Sequence, residues 1–259
     1  MALDFPNSPT LGQTYTAAGA TWKWDGTKWV AQVTVGGLLS VVLQKFTASG
    51  TYTRSPTMQY CIIECIGAGG GGGGVQGAAF SQIAGGGGGG GYSRSLRTAA
   101  QVGASQVVTI GAAGAAGNGT TPTNGGAGGN TSVGSLCIAN GGAGGTFASN
   151  TTAPFYATGG AGATPGTGDV VAGGSPGIGG SYSNAAGTVI AMIGQGGASA
   201  FGGGGTGPTR SATAPTSGAG AAGSNYGGGG AGAASFADST NYNGGPGAPG
   251  FVMITEYCS

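Results

Sequence analysis

Short hydrophobic islands separated by long glycine runs make up most of this chain. The segment Met58–Ile66 (MQYCIIECI) carries apolar side chains at successive positions and predicts a strand in a sheet covered on both sides. A second strand is predicted for Phe251–Tyr257 (FVMITEY). Gly36-Gly37 breaks the chain, Leu38–Phe46 is largely apolar, and Ser49-Gly50 and Ser55-Pro56 mark turns. Further strand-like islands lie at Tyr92–Leu96, Gln106–Ile110, Ser132–Ala139 and Thr188–Ile193. Strands at 36–66 and 251–257 therefore flank a glycine-rich body at 67–250. Pairing of the two ends would clamp that body between them.

The N-terminal segment follows a different pattern. All three tryptophans fall within residues 1–35, in Trp22-Lys23-Trp24 and Thr27-Lys28-Trp29 around Asp25-Gly26. Asp-Gly predicts a two-residue type I′ hairpin, which sets Trp22 opposite Trp29 with Trp24 on the same face. Such an aromatic face is too large to leave in water. It is either the core of a small β module or a docking surface, and Trp22, Trp24 and Trp29 are the candidate attachment residues. The chain divides on this reading into a β module at 1–35 and a glycine-rich domain at 36–259.

Composition sharpens the picture of the body. Glycine supplies 66 of 259 residues. The usual meaning of such bias is disorder. Against it stand the near absence of charge, a slightly positive mean hydropathy and the β-branched islands. Uninterrupted runs at 69–74, 85–91, 202–205 and 227–230, with GGAGG at 125–129 and 141–145, have almost no side chain to bury. Order must then come from the backbone. Extended threefold helices of the polyproline II type have no internal hydrogen bonds and turn their N–H and C=O groups outward. Without Cβ atoms such helices can approach and bond one another, which satisfies the buried backbone. The predicted fold is mainly β plus polyglycine II helices, with almost no α-helix: a small N-terminal β module, then a glycine-rich sandwich clamped by flanking antiparallel strands. Collagen requires strict Gly-X-Y, approached only at 244–250. Calcium-binding GGxGxD repeats require regular aspartates, and the body has only Asp169 and Asp238. A matrix or ice-binding lattice would need regular Gly-x-x on a flat face, which is not expected here.

The chemical inventory argues against catalysis. Seven basic and six acidic residues give a net charge of +1, without the basic footprint of a nucleic-acid partner. There is no histidine, and Asp4, Asp25, Glu64, Asp169, Asp238 and Glu256 are scattered. No phosphate-binding G-K-[ST] occurs. The expectation is a non-enzyme with no cofactor and no metal. Cys61 and Cys65 share a strand face roughly 13 Å apart, too far to bridge. With Cys137 and Cys258 they are expected to be small buried hydrophobes. No apolar run reaches the roughly 18 residues of a membrane span, and the N-terminus carries no secretory signal, so synthesis in the cytoplasm is expected.

Binding has better support, because the residues between glycine helices must sit at the lattice ends. Four stretches stand out: Phe147–Thr158 with Phe155 and Tyr156, Ser181–Asn184 with Tyr182, Pro208–Thr216 with Arg210, and Ser235–Asn243 with Phe236, Asp238 and Tyr242. Aromatic and Ser/Asn-rich loops on a rigid base have the composition of antibody binding loops. The same residues also read as ordinary turns whose rings pack on the glycine slab.

Residues 3–30 (LDFPNSPTLGQTYTAAGATWKWDGTKWV) resemble a short N-terminal module of phage structural proteins. Residues 46–74, 107–117 (VVTIGAAGAAG), 130–145 (NTSVGSLCIANGGAGG) and 247–257 (GAPGFVMITEY) resemble the glycine-rich domain of phage tail fibres. The resemblance implies a virion protein of the tail, attached through residues 1–35 to other virion proteins. As in tail-tip adhesins, loops beyond a polyglycine sandwich would touch a host cell-surface receptor, protein or glycan. Avid binding through several copies, a homotrimer among the arrangements, fits that class. The N-terminal part differs from that of those adhesins, so the likeness is one of architecture and no receptor contact carries over. The alternative is a purely structural virion fibre of neck, collar or capsid.

Overall fold

The computed structural model describes residues 4–17, 20–32, 40–149, 154–185, 188–208 and 215–259. The chain forms two compact units, residues 1–40 and 41–258.

The first unit is an antiparallel meander of β1 (Thr14–Ala17), β2 (Ala20–Trp24) and β3 (Trp29–Gln32). Its register corrects the expected hairpin. Trp24, not Trp22, lies opposite Trp29, and Trp22 pairs with Ala31. The cause is Asp25, whose Oδ1 accepts the Thr27 and Lys28 N–H groups and the Thr27 hydroxyl, each at 2.8 Å. This side-chain-built turn spans four residues and replaces the two-residue form. The shift is two residues, so the three tryptophans still share a face. Phe5 lies over them, stacked on Trp29 at 5.4 Å and edge-on to Trp22 at 5.4 Å, with Tyr15 alongside. Phe5 and Tyr15 thus partly cover the aromatic face, whose three tryptophans stay half-exposed.

The second unit contains β4 (Ser40–Phe46), β5 (Gly50–Thr53), β6 (Met58–Ile66), β7 (Gln82–Ala84), β8 (Tyr92–Thr98), the one-turn helix α1 (Ala99–Val102) and β9 (Ser105–Thr109). Then come β10 (Thr131–Val133), β11 (Cys137–Ala139), β12 (Phe147–Ser149), β13 (Phe155–Ala157), β14 (Val170–Ala172), β15 (Gly180–Ala185), β16 (Thr188–Met192), β17 (Ala234–Ser235) and β18 (Phe251–Cys258). Two sheets form a base: β14-β8-β6-β18-β4 and β11-β10-β9-β5. The predicted clamp is present, since β18 runs antiparallel to β6 from Phe251↔Ile66 to Glu256↔Cys61. The base core holds Tyr52, Ile63, Val108, Val133, Val252 and Ile254, with all four cysteines buried as free thiols.

β6 is covered on one face only, against expectation. Cys61, Ile63 and Cys65 point into the core, while Tyr60, Ile62 and Glu64 are half-exposed, because the second sheet packs on one side. The Ser132–Ala139 island is a hairpin and not one strand. Gly134, at φ +50°, turns the chain between β10 and β11.

Above the base the glycine segments form rods that bond one another with a period of three. In the rod 67–75, Gly67, Gly70 and Gly73 donate to Gly91, Gly88 and Gly85. Ala68, Gly71 and Gly74 donate to Gly129, Gly126 and Thr123, and Gly69, Gly72 and Val75 to Ala248, Gly245 and Tyr242. The carbonyls of the same rod accept from three further rods: from Gly114 and Gly117, from Gly142 and Gly145, and from Gly230 and Ala233. Six neighbours therefore surround this rod, each met on every third residue. That is the bonding a three-residue-per-turn extended segment requires when its groups point outward.

Proximity, not left-handed backbone, selects glycine here. The described glycines at positive φ are Gly12, Gly26, Gly103, Gly134 and Gly227, so none lies within the runs 69–74 and 85–91. A Cβ at Gly71 would strike the Ala115 carbonyl, and one at Gly87 the Gly70 carbonyl, both inside the 3.0 Å that real Cβ atoms respect. Peripheral rods need glycine only where they face inward. In 111–117 (GAAGAAG), Gly111, Gly114 and Gly117 are buried while Ala112, Ala113 and Ala115 are exposed. Glycine at every third position therefore suffices on this short rod, because its neighbours lie on one side only.

Each backbone hydrogen bond nets about 0.5–1.5 kcal/mol, while ordering one residue's backbone costs about 1–2 kcal/mol, most of all for glycine. Hydrogen bonds alone therefore do not hold the lattice. The base sandwich below and the small sheets above secure its ends.

Candidate functional site

Successive rods leave the base and return. The rod 67–75 leaves β6, 85–91 returns to β8, and the bonds from Gly67, Gly70 and Gly73 to Gly91, Gly88 and Gly85 make them antiparallel. The same alternation continues along the body, so its connections gather at two ends. The end far from the base carries two three-stranded sheets, β12-β7-β17 and β13-β15-β16.

A small core fills this distal cap. Ile83, Phe155, Ala157 and Ala234 are buried, and Tyr182, Phe236 and Ile193 pack against them. The Phe155 and Tyr182 rings lie 5.3 Å apart, and Tyr182 and Phe236 5.8 Å apart. Three of the predicted contact residues, Phe155, Tyr182 and Phe236, thus support the cap from inside. Alternation along β13 explains it: Phe155 and Ala157 face inward, which turns Tyr156 out at 70% exposure.

Tyr242 and Asp238 hold a loop together. The Tyr242 hydroxyl donates to Asp238 at 2.6 Å, and the Thr240 N–H to the same carboxylate at 2.9 Å. These bonds, the Tyr242 hydroxyl foremost, hold the Asp238 carboxyl below its usual range. The loop is fastened to residues 77 and 78, where the Ala78 N–H donates to the Asp238 carbonyl and the Gly77 N–H to Asn241. Ala237 adopts φ +51° in the turn. Arg210 lies outside the described residues.

The register across the second distal sheet adds a residue that the sequence did not single out. Tyr156 pairs with Ser181, and Ser181 with Met192, so the three form one row on the same face. Met192 is 56% exposed. Its place within an alternating strand was readable, but its neighbour Tyr156 lies 36 residues away and only the sheet joins them. The row is uncharged, and Asp238 is the one described charge on the cap connections.

Of the attachment candidates, Trp22 and Trp29 are packed beneath Phe5. Trp24 reaches a cleft of about 380 Å³ lined also by Leu11, Gly12, Lys23, Asp25, Val30 and Gln32. Among the described residues, no cluster of His, Cys, Asp or Glu is placed to hold a metal ion. Glu64 accepts from the Tyr92 hydroxyl at 2.6 Å, Asp169 pairs with Arg97 at 2.8 Å, and buried Glu256 accepts from Tyr52 and Ser55. These three carboxylates, and Asp238 with them, all have structural partners.

The architecture is a glycine lattice held between a β-sandwich base and a β cap. Residues 47–257 match the family model described as a glycine-rich domain, and the chain belongs to that family. No curated protein matches the chain.

Proposed function

We propose that this protein is a non-enzymatic fibre or tip component of a phage tail that binds the host surface through its distal cap. The observation that carries the reading is the exposed row Tyr156–Ser181–Met192, supported from behind by Phe155, Tyr182 and Phe236. The aromatic on a fixed sheet provides contact area at low ordering cost, and the flexible thioether adapts to the partner's shape. The sequence resemblance supplies the phage context, and the N-terminal unit is the part that would join other virion proteins. Its cleft at Leu11, Trp24 and Val30 is then a better attachment surface than the packed Trp22–Trp29 face.

A second reading, a structural virion fibre without a receptor, draws on one specific observation. Most of the predicted aromatic contacts are consumed inside the cap. Binding of the purified protein to intact bacteria that the phage infects separates the two. The adhesin reading expects binding that falls when Tyr156→Ser and Met192→Ser are combined in a chain with unchanged circular dichroism. No binding by the unaltered protein would favour the structural fibre. Binding untouched by the double change would place the contact elsewhere on the surface.

A further inference from the structure

Two buried thiols meet where the base sheets come together. Cys65 lies near the end of β6 in one sheet, and Cys137 opens β11 in the other, 72 residues away. The Cys65 sulfur stands 3.7 Å from the Cys137 carbonyl oxygen. The Cys137 sulfur stands 3.8 Å from the Ile63 carbonyl oxygen on β6 and 3.3 Å from that of Ser93 on β8. The two side chains also hydrogen-bond each other. The junction is fastened beside them. The Ser93 and Ser95 hydroxyls on β8 donate to the Ile138 and Leu136 carbonyls at 2.6 and 2.8 Å, which holds β11 against β8. The other two cysteines stand apart. Cys61 shares the strand face of Cys65 roughly 13 Å along it and contacts Tyr52. Cys258 is paired with Met58, at the far end of β6.

The two sulfurs differ in electrostatics. The Cys65 contact foremost, then Ser95 and Arg97, holds the Cys137 thiol below its ordinary range. The Cys137 contact and burial hold Cys65 above it. A sulfur that ionises readily beside a second thiol is the arrangement that thiol–disulfide exchange uses.

We propose that Cys65 and Cys137 are a modification site, at which a disulfide ties the two base sheets together when the chain meets an oxidising thiol–disulfide pool. The Cys137 thiolate attacks one sulfur of a small disulfide such as oxidised glutathione, and the departing thiolate takes up a proton. Cys65 then gives up its proton and displaces the second small thiol. Two protein thiols are oxidised, and one small disulfide is reduced to two thiols. Both sulfurs are fully buried, so the exchange takes place during folding or when the base opens. The chain between the two cysteines supplies the rods 67–75, 85–91, 111–117 and 123–129. The bridge closes these four into one covalent loop at the base. Closing a loop of this length restricts the unfolded chain. The site is independent of the cap and its receptor.

Folding the full chain from denaturant in reduced and oxidised glutathione, beside a sample kept fully reduced, tests it. After the remaining free thiols are blocked in denaturant, two of the four cysteines should escape blocking in the oxidised sample. Trypsin with a glutamyl protease separates Cys61 from Cys65 at Glu64, so a linked peptide identifies the pair. Cys65 joined to Cys137 is expected, with a thermal midpoint above that of the reduced chain. Cys61→Ser should keep the bridge and Cys137→Ser should lose it. Should Cys137→Ser fail to fold, the peptide map of the unaltered chain decides alone. Four free thiols, glutathione adducts without a bridge, or a bridge between another pair would overturn the proposal.

Discussion

The base sandwich and the glycine lattice solve one problem by opposite means. In the base, side chains from two sheets fill the space between backbones, and Ile63, Val133 and Ile254 are fully buried. In the lattice the backbones themselves touch, and residues 69–74 are buried with no side chain at all. The base is therefore sensitive to lost volume, while the lattice is sensitive to any added volume. Hydrophobic transfer stabilises the first, and saturation of backbone donors and acceptors the second.

Adding one methyl group in the lattice should have the largest effect. Gly87→Ala drives a Cβ into the Gly70 carbonyl between rods that have nowhere to move. A cost on the order of 3 kcal/mol or more is expected, at the upper end for overpacking. Gly50→Ala, whose Cβ would meet nothing within 4 Å, should change stability by less than about 0.5 kcal/mol. Thermal denaturation of both variants decides whether approach or backbone freedom fixes the lattice glycines; equal losses would refute the approach argument.

Removing volume tests the base. Ile63→Ala should cost about 2–5 kcal/mol by chemical denaturation. Glu256→Ala leaves the buried Tyr52 hydroxyl without its 2.7 Å acceptor and should cost about 1–3 kcal/mol. Burial and the Glu256 carboxylate push the Tyr52 phenol far above its ordinary range, so it stays a neutral donor. An unchanged midpoint in Glu256→Ala would remove this contact from the account.

Thiol chemistry probes the base alone, at smaller cost. Burial pushes the Cys61 thiol up to about 11, and the Cys137 contact, together with burial, raises Cys65. Alkylation at neutral pH should be slow in the folded protein and fast in denaturant. Rapid labelling of the native chain would mean that the base core opens readily under native conditions.

The smallest effect concerns pH. Asp25, Asp169 and Asp238 are held below the ordinary carboxylate value of 3.8, mainly by backbone donors for the first two and by the Tyr242 hydroxyl for Asp238. A lowered folded value stabilises above 3.8, and that contribution is lost as pH falls through the folded value. Asp25 and Asp169 are exposed and Asp238 is half-buried, so a modest acid decline is expected, with no histidine step between pH 5 and 8. Melting curves should show it, and Asp25→Asn with Asp169→Asn should flatten it.

Much of the fold was legible because its signals are local. The apolar runs Met58–Ile66 and Phe251–Tyr257 identified the clamp strands, and the apolar setting of the cysteines their burial. The hairpin register failed because Asp25 chooses between two turns by its own hydrogen bonds, which Asp-Gly alone does not specify. The cap was harder. Aromatic loop residues look alike in sequence, yet strand parity hides Phe155 and exposes Tyr156 beside it. Met192 joins the row only through the pairing of β15 with β16.

Where side chains are forbidden can be read from the glycine runs alone. Uninterrupted glycine at 69–74 and 85–91 marks rods with neighbours on every side, and Gly-x-x at 111–117 marks one with neighbours on a single side. Tertiary structure alone decided which rods meet and which residues reach the surface at the ends. A glycine run states how closely another backbone can approach. It carries no side chain to name its partner, so the order of rods is set by the strands and turns that connect them.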